Sequence, residues 1–193
     1  MKIIIINGEG GSGKTSFVNF IKSKSYLTNY FIYNFSTVDR IKTIAEQCGW
    51  DGEKDEAGRQ LLSDLKDAFT KYNNLPYNDI VYKINLTLYK YRQFEIPTKN
   101  VVFFVHSREP EEIQRFKKEL NAKSLLIRRP GITHFHNHAD RFVYNCNYEY
   151  KYLNDKDYLG MQKDAEIFID KLIEEDWYSY GKDLEKPWDQ SSY

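Results

Sequence analysis

Residues 8–15 read Gly-Glu-Gly-Gly-Ser-Gly-Lys-Thr, and Ser16 follows. The spacing is G-x-x-x-x-G-K-[ST]. In that pattern a curled backbone points successive N–H groups at phosphate oxygens, the lysine reaches the outer phosphates and the hydroxyl meets Mg2+. Gly8, Gly10, Gly11, Ser12, Gly13, Lys14, Thr15 and Ser16 are therefore the candidate contacts for ATP. Lys14 is also a candidate catalytic cation, and Thr15 the candidate Mg2+ ligand. Glu9 is expected to face solvent. The flanks suit the motif. Ile3 to Ile6 form a short apolar run, as in a strand buried on both faces. Phe17, Phe20 and Ile21 then repeat at helical spacing, and a helix starting there aims its positive end at the same anion.

Arginines form the second set of residues with chemistry to offer. Arg40 follows the second expected strand, Arg59 opens an expected helix, Arg108 follows the third strand, and Arg128 and Arg129 end the fourth. Ligands of open α/β sheets bind beyond the carboxyl ends of the strands. Four of these arginines thus fall on the edge that carries the phosphate loop, and Arg59 could reach it from the helices between. The planar guanidinium pairs two phosphate oxygens at once, so the set reads as a phosphate clamp.

The elements that must position these groups alternate between apolar runs and helical patterns. Strands are expected over 2–6, 30–35, 101–105, 124–128 and 142–146, with 101–105 central. Helical faces are Val38, Ile41, Ala45 and Cys48; Ala57, Leu61, Leu65, Ala68 and Tyr72; Ile113, Phe116 and Leu120, opened by Pro110; and Met161, Ala165, Phe168 and Leu172. The stretch 38–97 reads as wholly helical, too long for a simple crossover, and is expected to be a substrate-holding insertion. The fold class is α/β: a mostly parallel, five-stranded sheet of P-loop NTPase type, flanked by helices. A single domain covers 1–193, with a lid-like loop over 128–141 and a peripheral tail over 179–193.

Composition narrows the partners. The chain has 193 residues, with 28 basic and 28 acidic side chains, so no global field favours nucleic acid or an anionic membrane. No apolar run could span a bilayer, and a strand and phosphate loop stand where a leader would be. Cys48 and Cys146 lack metal-ligand spacing and are expected reduced in apolar positions, which fits the cytoplasm. The sixteen tyrosines and twelve phenylalanines could coat a surface or a homodimer contact. Thr133 to His138 carries three alternating histidines, for which solvent exposure is preferred over ATP contact or metal.

Elimination narrows the chemistry. No Asn-Lys-x-Asp base-reading motif is present, and Asp55-Glu56-Ala57-Gly58 reads as a helix start rather than a switch. The third strand ends in His106-Ser107-Arg108, without the acidic pair of a motor. Small-molecule kinases remain. The chain resembles the phage-type deoxynucleoside monophosphate kinases and, more distantly, animal-type phosphomevalonate kinases. The phosphate loop, Ser36-Thr37-Val38-Asp39-Arg40, Arg59-Gln60-Leu61-Leu62, Ser107-Arg108 and Leu126 to Gly131 carry the likeness. The resemblance implies transfer of the ATP γ-phosphate to a nucleoside or deoxynucleoside monophosphate, with Mg2+. It places Ser36, Arg40 and Arg59 at the acceptor phosphate, Arg108 between the two substrates, and Arg128 or Arg129 closing from the lid. The family has Asp where His106 stands. Asp39 is the candidate catalytic replacement, or else an N-cap within its own helix. Tyr72, Asn73, Tyr77, Asn78, Tyr82 and Asn85 offer stacking and amide groups to a nucleobase. A kinase for another phosphorylated metabolite and a nucleotide-binding regulator without turnover are the open alternatives.

Overall fold

The computed structural model describes residues 1–25, 29–132, 143, 144 and 146–179. The expectations over 133–142, at 145 and over 180–193, including the three histidines and most of the lid and tail, lie outside the described residues. Five strands form one sheet: β1 Lys2–Asn7, β2 Phe31–Ser36, β3 Val101–His106, β4 Lys123–Arg128 and β5 Tyr150–Leu153. Their order is β2-β3-β1-β4-β5, and every pair is parallel. Among the described residues, six α-helices accompany them: α1 Lys14–Ser25, α2 Asp39–Gln47, α3 Glu56–Asn73, α4 Leu75–Gln93, α5 Pro110–Leu120 and α6 Tyr158–Glu174. This is the doubly wound P-loop layout, with the phosphate loop joining the central strand to α1. Among the described residues, no helix is long and apolar enough to cross a membrane.

The continuous apolar runs work because successive strand side chains face opposite layers. Ile3, Ile5, Val101, Phe103 and Val105 face α4 and α5, while Ile4, Ile6, Val102 and Phe104 face α1 and α6. Residues 3–6 are wholly buried. Each such isoleucine contributes roughly 2–3 kcal/mol by leaving water, so the strand that carries the phosphate loop is firmly seated, as is β3 beside it.

Four expectations are corrected. The fifth strand is Tyr150–Leu153, not 142–146. Val143 and Cys146 are buried, but they lie in a turn and a bend. The true strand is short, at the sheet edge, and alternates half-buried tyrosines with exposed Lys151 and Leu153. The stretch 38–97 is not wholly helical. A loop with left-handed Gly49 and Gly52 separates α2 from α3, and left-handed Asn74 breaks α3 from α4. The face expected for α3 is also wrong: Ala57, Leu61, Ala68 and Tyr72 are exposed, and the buried residues are Gly58 and Lys66. Cys48, expected in an apolar position, is exposed at the end of α2, while Ile41 and Ala45 are buried as expected. Asp55 does open a helix, its side chain accepting the N–H of Gly58 at 2.7 Å.

Candidate functional site

The phosphate loop is shaped by glycines that no other residue could replace without strain. Gly8, Gly11 and Gly13 have φ of 148°, 79° and 95°. A Cβ on Gly8 would stand 2.2 Å from the carbonyl oxygen of Ile127, and one on Gly13 would meet Asn154 Nδ2 at 2.6 Å. The loop therefore lies hard against the ends of β4 and β5. Gly10 is half-buried and Ser12 fully buried, while Thr15 and Ser16 are exposed in the first turn of α1. That turn carries no acidic side chain, so the positive end of the helix stays uncancelled. Lys14 Nζ donates to the carbonyls of Gly8 and Glu9 at 2.6 and 2.7 Å, which keeps its charge at the loop.

Two asparagines that the sequence reading did not single out pin the loop at both ends. Asn7, wholly buried, accepts the N–H of Gly8 at 2.7 Å and donates to Tyr148 Oη at 2.7 Å and to the Arg108 carbonyl at 3.3 Å. Asn154 donates through Nδ2 to the Ser12 carbonyl at 3.0 Å, while its own N–H donates to the Arg128 carbonyl at 2.7 Å. Both amides satisfy buried backbone groups that would otherwise cost free energy. Glu9, expected in solvent, is only 5% exposed and accepts the hydroxyl of Tyr144 at 2.7 Å. The curl of the loop turns it inward toward the chain near residue 144. Burial, with help from Glu9, pushes the Tyr144 phenol above its ordinary range.

On the β4–β5 side, Arg128 and Arg129 are exposed and border a recess of about 190 Å³ with Glu9, Tyr144, Ile132 and Leu153. The Arg128 guanidinium sits 4.9 Å over the Tyr144 ring.

On the β2–β3 side, His106 ends the strand beside the loop, and its Nε2–H donates to Asn34 Oδ1 at 2.8 Å. Burial pushes His106 down to about 4, with help from the positive charges of Lys14, Lys42 and Arg108. The ring is therefore neutral at neutral pH, and three cations from three different elements act on one spot at the mouth of β3. Lys42 was missed from sequence because Arg40 carried the expected motif. Arg40 is exposed, whereas Lys42 is half-buried and lies 3.8 Å from Asp39. Ser36 is half-buried at the end of β2, and its N–H donates to Asp39 Oδ2 at 2.8 Å. Asp39 is thus neither a cap of its own helix nor a free carboxylate: it closes the turn between β2 and α2. Arg59 is exposed at the first turn of α3, with Nε donating to the Lys54 carbonyl at 2.7 Å.

The six residues offered to a nucleobase divide. Tyr77 and Asn85 are buried, with Tyr77 packed on Phe116. Asn78 donates to the Asn73 carbonyl at the turn between α3 and α4. Tyr72 and Tyr82 are exposed.

No protein-family model matches the chain, and no curated protein matches it either. Among solved structures, it is similar to the cysteine-to-alanine mutant of an APS kinase from Mycobacterium tuberculosis. The two are 11% identical, and the match covers 89% of this chain and 96% of the other with a TM-score of 0.43.

Proposed function

We propose that this chain is an ATP-dependent phosphotransferase acting on a nucleoside or deoxynucleoside monophosphate. The observation that carries the reading is a phosphate loop held in shape by its positive-φ glycines and two buried amides, with Lys14, Lys42 and Arg108 acting on His106 beside it. One cradle with further cations at its side suits two phosphorylated molecules held end to end. The recess bordered by Glu9, Arg128 and Tyr144 supports a donor nucleoside on the β4–β5 side.

In this reading the loop N–H groups and Lys14 hold the β- and γ-phosphates. An oxygen of the acceptor phosphate attacks the γ-phosphorus, the bond to the β–γ bridging oxygen breaks, and ADP leaves with that electron pair. The acceptor phosphate has a second pKa near ~6, so it arrives ionised and needs no general base. Neutral His106 is consistent with that. Catalysis is then positioning plus charge stabilisation, supplied by Lys14, Lys42 and Arg108. The donor set fits Mg2+: Thr15 offers one exposed hydroxyl, and this ion usually keeps waters and phosphate oxygens as its other ligands. When bound, it neutralises charge on the outer phosphates.

An ADP-release assay across the common NMPs and dNMPs, with phosphomevalonate included, tests the reading. Release that depends on a nucleotide acceptor and falls by about a thousandfold in Lys14→Met supports it. Release with phosphomevalonate alone transfers the reading to another metabolite. One observation favours a regulator without turnover, namely the imidazole of His106 where a carboxylate would assist the metal. ATP binding with no product from any acceptor would establish that alternative.

A further inference from the structure

Helix α3 has 18 residues, yet only Gly58 and Lys66 on it are buried. A helix normally attaches through an apolar stripe. Here Leu62, Leu65 and Phe69 are only half-buried, and the most deeply buried side chain is a charge. Lys66 Nζ lies 3.1 Å from Glu112 Oε2 in the first turn of α5, with side chains 10% and 9% exposed. The same carboxylate oxygen accepts the hydroxyl of Ser107, which is 2% exposed just past β3. Ser107 in turn donates its N–H to the Ile6 carbonyl at 3.2 Å, and the neighbouring Arg108 carbonyl accepts from Asn7. A continuous polar chain therefore runs from α3, through α5 and the mouth of β3, to the root of the phosphate loop.

Desolvating an ion pair is costly, and an apolar pair of the same volume would attach the helix at least as well. What an ion pair adds is one defined geometry, because a misplaced helix leaves Glu112 buried without its partner. We propose that Lys66 is a positioning residue. Its contact with Glu112, whose carboxylate also accepts the Ser107 hydroxyl, fixes α3 relative to the β3 mouth, and so sets where the acceptor is held. The functional half of this inference rests on the reading of that mouth as the acceptor site.

Amide hydrogen exchange and steady-state kinetics on the full chain test it together. In Lys66→Met, exchange across residues 56–73 rises about tenfold while β1 and β3 keep their protection. Lys66→Arg restores it. Glu112→Gln, which keeps the shape and removes the charge, loosens the same segment to a smaller degree and serves if the first variant does not fold. The KM for the acceptor rises in Lys66→Met and that for ATP stays constant. Wild-type exchange over 56–73 in both charge-removing variants, equal loosening of β1 and β3, or no recovery in Lys66→Arg overturns the proposal. If no acceptor is ever phosphorylated, the transferase reading fails, and the exchange pattern still decides the role of the ion pair.

Discussion

The two flanks of the phosphate loop are built on different principles. Toward β4 and β5 the loop is wedged: Gly8 touches the Ile127 carbonyl, Gly13 touches Asn154, and two buried amides close the remaining backbone bonds. Toward α2 and α3 the chain is open. Arg40 and Arg59 are exposed, Lys42 is held by a 3.8 Å pair, and α3 buries an ion pair beside half-buried Leu62, Leu65 and Phe69. The difference teaches that one site can combine a cradle preorganised by sterics with a neighbour organised by charge. Sterics suits a ligand whose triphosphate geometry never changes. Charge suits an element whose place beside a second molecule must be set by one defined pairing.

The largest effect that could break this contrast is at Gly8. Gly8→Ala forces a Cβ into a backbone oxygen at positive φ, and a loss of about 3 kcal/mol or more is expected in denaturant titration. A neutral result would mean that the wedge is soft. Next is His106. Its pKa falls from 6.5 to about 4 on folding. The unfolded chain therefore binds the proton first, so the stability from this group is complete above about pH 6.5 and falls as the pH drops toward about 4. The total is on the order of 3 kcal/mol. His106→Gln removes that part of the acid sensitivity, which paired urea melts at neutral and acid pH measure. Asn154→Ala is smaller, about 1–2 kcal/mol, because it strands the Ser12 carbonyl. It sharpens the comparison in kinetics, raising the KM for ATP and sparing that for the acceptor. Arg59→Ala is expected to change stability by less than about 0.5 kcal/mol, since its guanidinium lies on the exposed side of α3.

The centre of the sheet and the loop motif were the more legible. Ile3 to Ile6 and Val101 to Val105 are continuous apolar runs because both faces of those strands are covered, and the loop motif gives its own geometry. Pro110 and the apolar faces of α5 and α6 were readable for the same reason: burial there repeats at helical spacing. The edge strand β5 was not, because Tyr150 and Tyr152 share it with exposed Lys151 and Leu153, while apolar Val143 and Cys146 lie nearby in irregular chain. Helix α3 misled for the opposite reason. Ala57, Leu61, Ala68 and Tyr72 point outward while Leu65 is half-buried, and the most buried side chain is a lysine that no hydrophobic pattern records. Asn7 and Asn154 were invisible because a lone amide gives no sign of a partner far along the chain. Glu9 and Lys42 are placed by a loop and a turn whose direction spacing does not encode.

The central claim is that a phosphate cradle and a cationic acceptor site lie side by side, close enough to share one linked ligand. Calorimetric titration with ATP and with a dinucleoside polyphosphate spanning both sites measures this directly. The account predicts that the linked ligand binds about a hundredfold tighter than ATP, because its second half is held at high effective concentration. A linked ligand that binds no tighter than ATP would contradict it.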